Sequence, residues 1–292
     1  MKIVKYLVVA SIASALIVLL SFSIGSCWQF PAGPVMTGPS ACPPPCPPAF
    51  GFSCGPKFGF EGGARAFYST NIAKIKNDQG PDIDFTDDLN FSSNTLLAEV
   101  YGALRLPPKW AFTYSYVIPR EDFGYGTLPA DVIVGDTRFD AGTQVAARSL
   151  TSLHRWEGEW FVMTGCNFRG GGYALGELYI ETFEMRDEEQ SDQDVINEFL
   201  MGLGGTGEYA SNNFFVKVKG AYTFLQDQTG FYVDAEAKLF PKIDPCGPMA
   251  SLANLRPYGA IGYRYRQATW DRDNSKTEII WHGPTATLGI VF

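Results

Sequence analysis

The dominant pattern in this chain is a strict alternation of apolar with small, polar or charged residues. In the last nine positions Ala286, Leu288, Ile290 and Phe292 fall on one face and Thr285, Thr287, Gly289 and Val291 on the other, which predicts a β-strand running to the end of the chain. Trp110, Phe112, Tyr114, Tyr116 and Ile118 alternate with Ala111, Thr113 and Ser115 in the same way. Phe214, Val216, Val218 and Tyr222 alternate with Lys217, Lys219 and Thr223; Phe231, Val233, Ala235, Ala237 and Leu239 with Asp234, Glu236 and Lys238; Ile261, Tyr263 and Tyr265 with Gly262, Arg264 and Arg266. A sheet with one apolar face and one charged face suits a wall between lipid and an aqueous lumen.

The predicted architecture is therefore all-β: a closed antiparallel transmembrane β-barrel of about twelve strands over 58–292. The strands are predicted at 58–72, 94–107, 109–118, 129–139, 143–152, 154–165, 172–185, 197–209, 213–225, 229–240, 256–270 and 279–292. Ten or eight follow if 129–152 or 172–209 is loop. An even number leaves both barrel ends on one side of the membrane. On that phase the turns at 107–109, 140–142, 166–172, 211–213 and 241–255 face the periplasm, and loops 73–93, 119–128, 186–196, 226–228 and 271–278 face outward. The alternative, a soluble exported β-sandwich, predicts a protein free in solution once its leader is removed.

The amino end changes the picture by supplying a route. Lys2 and Lys5 precede an uncharged apolar run from Leu7 to Leu20, followed by the small residues Ser23, Gly25 and Ser26, a pattern that predicts a secretory signal over 1–26. The segment 27–57 holds Cys42-Pro43-Pro44-Pro45-Cys46-Pro47-Pro48 and is predicted to be a Cys/Pro-rich periplasmic stretch, since such a sequence can be neither helix nor central strand.

Two resemblances rest on these ends. The terminal Phe292, with Ile290 and Leu288 at alternate positions before it, resembles the carboxy-terminal assembly signal of bacterial outer-membrane β-barrel proteins. That resemblance implies location in the bacterial outer membrane, with the lipid bilayer and the barrel-assembly machinery as partners. Ile24-Gly25-Ser26-Cys27 resembles the lipobox of bacterial lipoproteins, which implies acylation of Cys27; the alternative is an ordinary exported thiol.

Composition agrees with a barrel and narrows the partners. The chain has 31 Gly, 14 Tyr and 22 Phe, with only 18% charged residues. Its mean hydropathy of −0.05 is compatible with a membrane barrel, because alternating faces cancel in the average. The net charge of −8 becomes −10 once the two positive charges of Lys2 and Lys5 leave with the signal, which argues against nucleic acid as a partner.

The predicted inward face carries eight acids and eight bases: Glu61, Arg65, Glu99, Arg105, Arg148, Glu157, Glu159, Glu177, Glu181, Lys217, Lys219, Asp234, Glu236, Lys238, Arg264 and Arg266. A selective pore needs one sign to dominate its path, so a balanced set predicts a narrow lumen filled by an ion-pair network. Cys42, Cys46, Cys54, Cys166 and Cys246 all fall on the periplasmic side and are disulfide candidates; a metal site is disfavoured by the lack of a nearby His.

No cofactor, metal site or catalytic residue is predicted. His154 and His282 are the only histidines, expected near the outer rim; Ser149 and Ser152 lie close to His154 without a nucleophile motif, and His282 beside Trp281 reads as an interfacial girdle residue. The runs Gly170-Gly171-Gly172 and Gly202–Gly207 lack the Lys and the strand-to-helix context of a phosphate loop. Asp82-Ile83-Asp84-Phe85-Thr86-Asp87-Asp88 lacks the Gly and Glu of a calcium loop. The predicted role is structural or porin-like passage of small solutes. The alternatives are a surface-binding barrel using its acidic outer loops and, third, an outer-membrane lipid hydrolase.

Overall fold

The computed structural model describes residues 59–77, 81–106, 109–164, 167–211, 214–225, 228–241, 256–272 and 275–291. Its strands are β1 (Gly59–Asn77), β2 (Ile83–Asp84), β3 (Asn94–Leu106), β4 (Trp110–Thr127), β5 (Val132–Val134), β6 (Thr137–Phe139), β7 (Gln144–Thr164), β8 (Phe168–Arg186), β9 (Ser191–Ala210), β10 (Phe214–Leu225), β11 (Gln228–Leu239), β12 (Arg256–Arg272) and β13 (Ser275–Val291). The ten long strands pair antiparallel in chain order, and β13 returns to β1 with Glu61 opposite Val291, closing the sheet. Closure leaves the long sheet without an unpaired edge. β2 adds briefly to β1, while β5 and β6 form a separate hairpin.

The barrel has ten strands where alternation predicts twelve. Residues 129–139 contribute only the β5–β6 hairpin, and 143–152 with 154–165 form one continuous strand, β7. Consequently 128–143 is a single excursion at the end opposite the start of β1 and the end of β13; that end is here the distal end and the other the terminal end. The turn at 140–142 belongs there, not on the terminal side. It is tied back by Leu128 N–H to Thr143 O at 3.0 Å and Gly142 N–H to Leu128 O at 2.8 Å.

Several strands outrun their predicted bounds, β1, β4, β9 and β13 chiefly at the distal end and β8 chiefly at the terminal end, where it starts at Phe168. β4 continues past Pro119 to Thr127, with a register shift between Val117 and Arg120 that accommodates a residue unable to donate to the ladder. β9 and β13 likewise extend distally into stretches predicted as loop, and β8 extends into the turn predicted at 166–172. A membrane crossing needs only about 9–11 tilted residues per strand, whereas these run from 17 to 20. The excess rises above the apolar belt, where outward residues turn polar and the sequence signal fades.

That belt is explicit on the outer face. It runs from Trp110, Trp160, Leu239 and Ile290 near the terminal end to Tyr116, His154, Tyr265 and His282 at mid-strand. Leu288 and Ile261 are 75% and 72% exposed in the isolated chain, as lipid-facing residues should be. Above it the outward residues include Glu121, Arg148, Glu184, Asn197 and Glu278. Gly172 lacks a side chain where the indole of Trp160 lies; a Cβ there would sit 1.9 Å from the ring. This close approach explains part of the glycine run at 170–172.

At the distal end the loops are packed. Ile83, Leu89, Leu128, Val134, Phe139 and Val145 share an apolar cluster with Phe183 and Met185 of β8. Phe85 and Phe183 stack with ring centroids 5.4 Å apart.

Candidate functional site

The lumen is built in layers, and strand alternation decides which residues enter it. At the terminal end Ala210, Phe215, Phe240, Tyr258 and Ala260 form an apolar floor. Immediately above, Glu61 accepts from Tyr258 Oη at 2.5 Å and pairs with Lys238. Glu208 binds Arg169 at 2.5 Å and Arg105 and Lys217 at 3.3 Å.

The middle of the lumen is crossed by ion pairs. Arg264 lies 2.6 Å from Glu99 and 3.1 Å from Asp234, and Arg65 lies 2.7 Å from Glu236 and 3.6 Å from Glu99 and Asp234. Lys219 pairs with Glu157 at 2.5 Å, and Lys217 with Glu159, which also accepts from Thr206 at 3.0 Å. One step higher, Glu177 holds Arg155 at 2.6 Å and Arg266 at 2.9 Å. A small cavity of about 40 Å³ remains among the lower of these groups, lined by charges of both signs.

A second apolar layer closes the network from above: Phe67, Leu97, Val117, Leu153, Tyr179, Leu200, Trp270 and Ile279 are all buried there. Over it opens a distal vestibule of about 80 Å³, walled by Phe85 and Phe91 from the loop after β2 and by Tyr179 and Trp281 from the barrel.

Of the sixteen charged residues predicted to face inward, fifteen do so. Glu181 lies higher, in the vestibule wall, accepting from Ser149 Oγ at 2.6 Å and Tyr179 Oη at 2.7 Å. Arg148 is the correction: it lies outside, half exposed, between Glu121 and Glu184 (3.4 Å). Treating 143–152 and 154–165 as two strands lost the phase across Leu153. One continuous β7 sends odd residues in throughout, as Glu157 and Glu159 require, so Arg148 leaves the lumen, while Arg155, absent from the predicted set, lies within it. Glu208 and Arg169 are further lumen charges that sequence reasoning missed; Glu208 alternates with buried Thr206, a signal obscured by the surrounding glycines.

The remaining predicted residues fall as follows. Leu288 and Ile290 face outward; Phe292, Cys27, Cys42, Cys46, Cys54, Cys166 and Cys246 lie outside the described residues, as does all of 1–57. His154 and His282 sit at mid-strand on the outer face, at the upper edge of the belt, and not at the barrel rim. Each is hydrogen-bonded to a tyrosine, His154 to Tyr114 at 2.9 Å and His282 to Tyr263 at 2.8 Å. Ser149 faces inward, so Ser149 and His154 are on opposite sides of the wall. Trp281 points inward, against the Arg266 guanidinium at 4.9 Å.

The acidic loop residues serve local turns. Asp84 Oδ1 accepts from Thr86 N–H at 2.9 Å and Asp87 N–H at 3.2 Å, and its carboxylate pairs with Lys74 at 2.8 Å. Among the described residues no cluster of three or more His, Cys, Asp or Glu is arranged to hold a metal ion.

An apolar outer belt around a closed antiparallel sheet is the fold of a bacterial outer-membrane β-barrel protein. Solved structures similar to this chain are of that class. The outer-membrane protease OmpT of Escherichia coli is 12% identical, with a TM-score of 0.47, over 81% of this chain and 98% of its own. The attachment invasion locus protein Ail of Yersinia pestis is 7% identical, with a TM-score of 0.33, over 78% and 98%. The outer membrane protein OprG of Pseudomonas aeruginosa is 13% identical, with a TM-score of 0.26, over 80% and 95%. No protein-family profile matches the sequence, and no curated protein matches it.

Proposed function

We propose that this protein is a structural, non-conducting and non-catalytic barrel of the bacterial outer membrane, delivered by its leader and inserted by the barrel-assembly machinery. The observation that carries the reading is the cross-lumen lock of Arg264 with Glu99 and Asp234, enclosed between an apolar layer above and an apolar floor below. Passage of a solute through such a lumen requires breaking buried ion pairs and separating packed aromatic side chains. Removing one partner of a buried pair costs about 3–5 kcal/mol, so thermal opening along the whole path is rare. The terminal end faces the periplasm on this reading, and the distal head stands outside the cell. Planar-bilayer recording of the purified barrel tests the proposal: silence is expected, and large, stable conductance steps would overturn it.

A second reading, partner binding by the distal head, is favoured by the order of its loops. The acidic stretch 82–88 is held on a packed apolar cluster, and in 187–194 the Asp192 carboxylate accepts from Asp136 N–H at 3.0 Å and Thr137 Oγ1 at 2.8 Å, so that both present a fixed surface. Replacing 131–140 by a short Gly/Ser link leaves the ten-stranded sheet intact; unchanged cell-surface binding in that variant would count against this reading.

A further inference from the structure

The cavities below and above the upper apolar layer lie against the same part of the barrel wall. Inward residues of β1, β3, β4 and β7 line both, and among the described residues none from β9 lines either. The thickness of the partition between them differs from strand to strand.

On β1 two inward residues, Phe67 and Ser69, separate Arg65 in the lower cavity from Asn71 in the upper one. On β7 a single residue, Arg155, separates Glu157 from Leu153. On β3 and β4 no residue intervenes. Glu99 and Leu97 are consecutive inward positions, as are Ser115 and Val117; the first of each pair faces the lower cavity and the second the upper. Val117 stands directly opposite Glu99 on β3 and Leu153 on β7. Leu97, Val117 and Leu153, all buried in the upper apolar cluster, are therefore the thinnest part of the closure.

Both spaces suit water. Their volumes of about 40 Å³ below and 80 Å³ above exceed the roughly 10–15 Å³ that one water needs. In the lower cavity the buried Asp234 Oδ1 meets no donor among the described residues, and Thr113 and Ser115 add hydroxyls to the wall. In the upper one Asn71, Thr95 and Thr151 supply polar groups. Toward the terminal end, Arg105 of β3 keeps 19% of its side chain exposed, whereas the apolar floor comes from β9, β10, β12 and the residue after β11, across the lumen. Aliphatic side chains between two wet spaces stop water and ions by dewetting, without any charged barrier.

We propose that Leu97, Val117 and Leu153 form a hydrophobic seal across a latent path for water and small inorganic ions along the β3–β4 wall. Shortening these side chains, with every lumen ion pair left in place, makes the barrel conduct. The lower cavity is lined by five acids and five bases, so the opened path admits ions of either sign. The inference rests on the sealed-lumen reading and assigns the seal to one sector of the wall.

The test compares the full chain with two folded double variants in planar bilayers of one lipid composition, folding being judged by heat-modifiable gel migration. The unaltered chain is expected to be silent. Leu97→Ala with Val117→Ala should give resolvable conductance steps. Leu200→Ala with Ile279→Ala, which removes at least as much apolar volume from the same layer on β9 and β13, should stay silent, since neither strand lines the lower cavity. A silent Leu97/Val117 variant beside a silent unaltered chain would overturn the seal and leave the sealed-lumen reading standing. Steps from the unaltered chain would overturn that reading and the seal with it, and equal steps from both variants would overturn the assignment to β3–β4. Should the Leu97/Val117 variant fail to fold, Val117→Ala alone is read by osmotic shrinkage of proteoliposomes: faster shrinkage than with the unaltered chain is expected, and equal rates would overturn the proposal.

Discussion

Glu99 on β3 and Arg264 on β12 meet at 2.6 Å inside the lumen, although 165 positions separate them in the chain. Three steps around the sheet, from β12 through β13 and β1 to β3, bring them to the same level, and Arg65 and Asp234 complete the group. The barrel wall and the contents of its lumen are thus mutually dependent.

Glu99→Gln removes the acid shared by Arg264 and Arg65, leaving two buried cations undercompensated. Unfolding in detergent with urea should show a loss of about 3–5 kcal/mol. The double variant Glu99→Leu with Arg264→Met should lose clearly less than the sum of the two single variants, because the pair is removed together.

Arg148 and Arg155 offer a matched contrast on one strand. Arg148 is half exposed on the outer face, and Arg148→Ala should change stability by no more than about 1 kcal/mol, as exposed pairs do. Arg155 is 2% exposed and bound to Glu177, and Arg155→Ala should cost about 3–5 kcal/mol by leaving a buried carboxylate short of a partner. The same urea titration measures both. Equal costs would mean that the phase of β7 is misassigned.

The belt can be located by charge insertion. Ile261→Lys places a cation on the lipid face and should destabilise the barrel by about 2–4 kcal/mol in phospholipid vesicles if it lies near the bilayer midplane. Asn197→Lys, outward on β9 but above the belt, should cost about 0–1 kcal/mol. Reversed magnitudes would place the membrane around the distal half.

The distal excursion 128–143 should loosen only in acid. The Asp131 carboxyl is held below the usual aspartate range, first by the Ala141 backbone N–H at 2.8 Å and then by Arg138. Asp187 is held low in the same way, by the backbone N–H groups of Glu189 and Gln190 at 2.8 Å. A depressed folded-state value means that these bonds contribute fully above the ordinary aspartate value of about 3.9 and are lost as pH falls through the lower folded value. Hydrogen exchange within 128–143 and 187–190 should therefore have flat protection, corrected for intrinsic rates, from pH 7 to pH 5 and a decline below about pH 4. Loss of protection already between pH 7 and 5 would point to a different anchor.

Legibility followed the membrane. The strands with clean alternation, 213–225, 229–240 and the last one, lie largely where one face meets lipid and the other meets the lumen, so each residue type reports its side. β7 misled because Leu150 to Leu153 rises above the belt, where both faces tolerate polar residues, and a one-residue error in the phase of 143–152 moved Arg148 inward. Pro119 looked like a strand end because it cannot donate a ladder bond, yet a bulge let β4 continue.

By itself, the sequence determined a barrel with an apolar exterior and a charged interior, because period-two alternation expresses the two environments of a wall one residue thick. It also contained the near-balance of lumen charge, since inward positions can be read from phase. Only the tertiary structure decided the number of strands, the pairing of Glu99 with Arg264, the two apolar layers that close the lumen, and the vestibule formed where Phe85 and Phe91 approach Tyr179 and Trp281. These depend on register and on loops returning over the barrel mouth. Alternation along a single strand carries no information about which distant strand lies opposite.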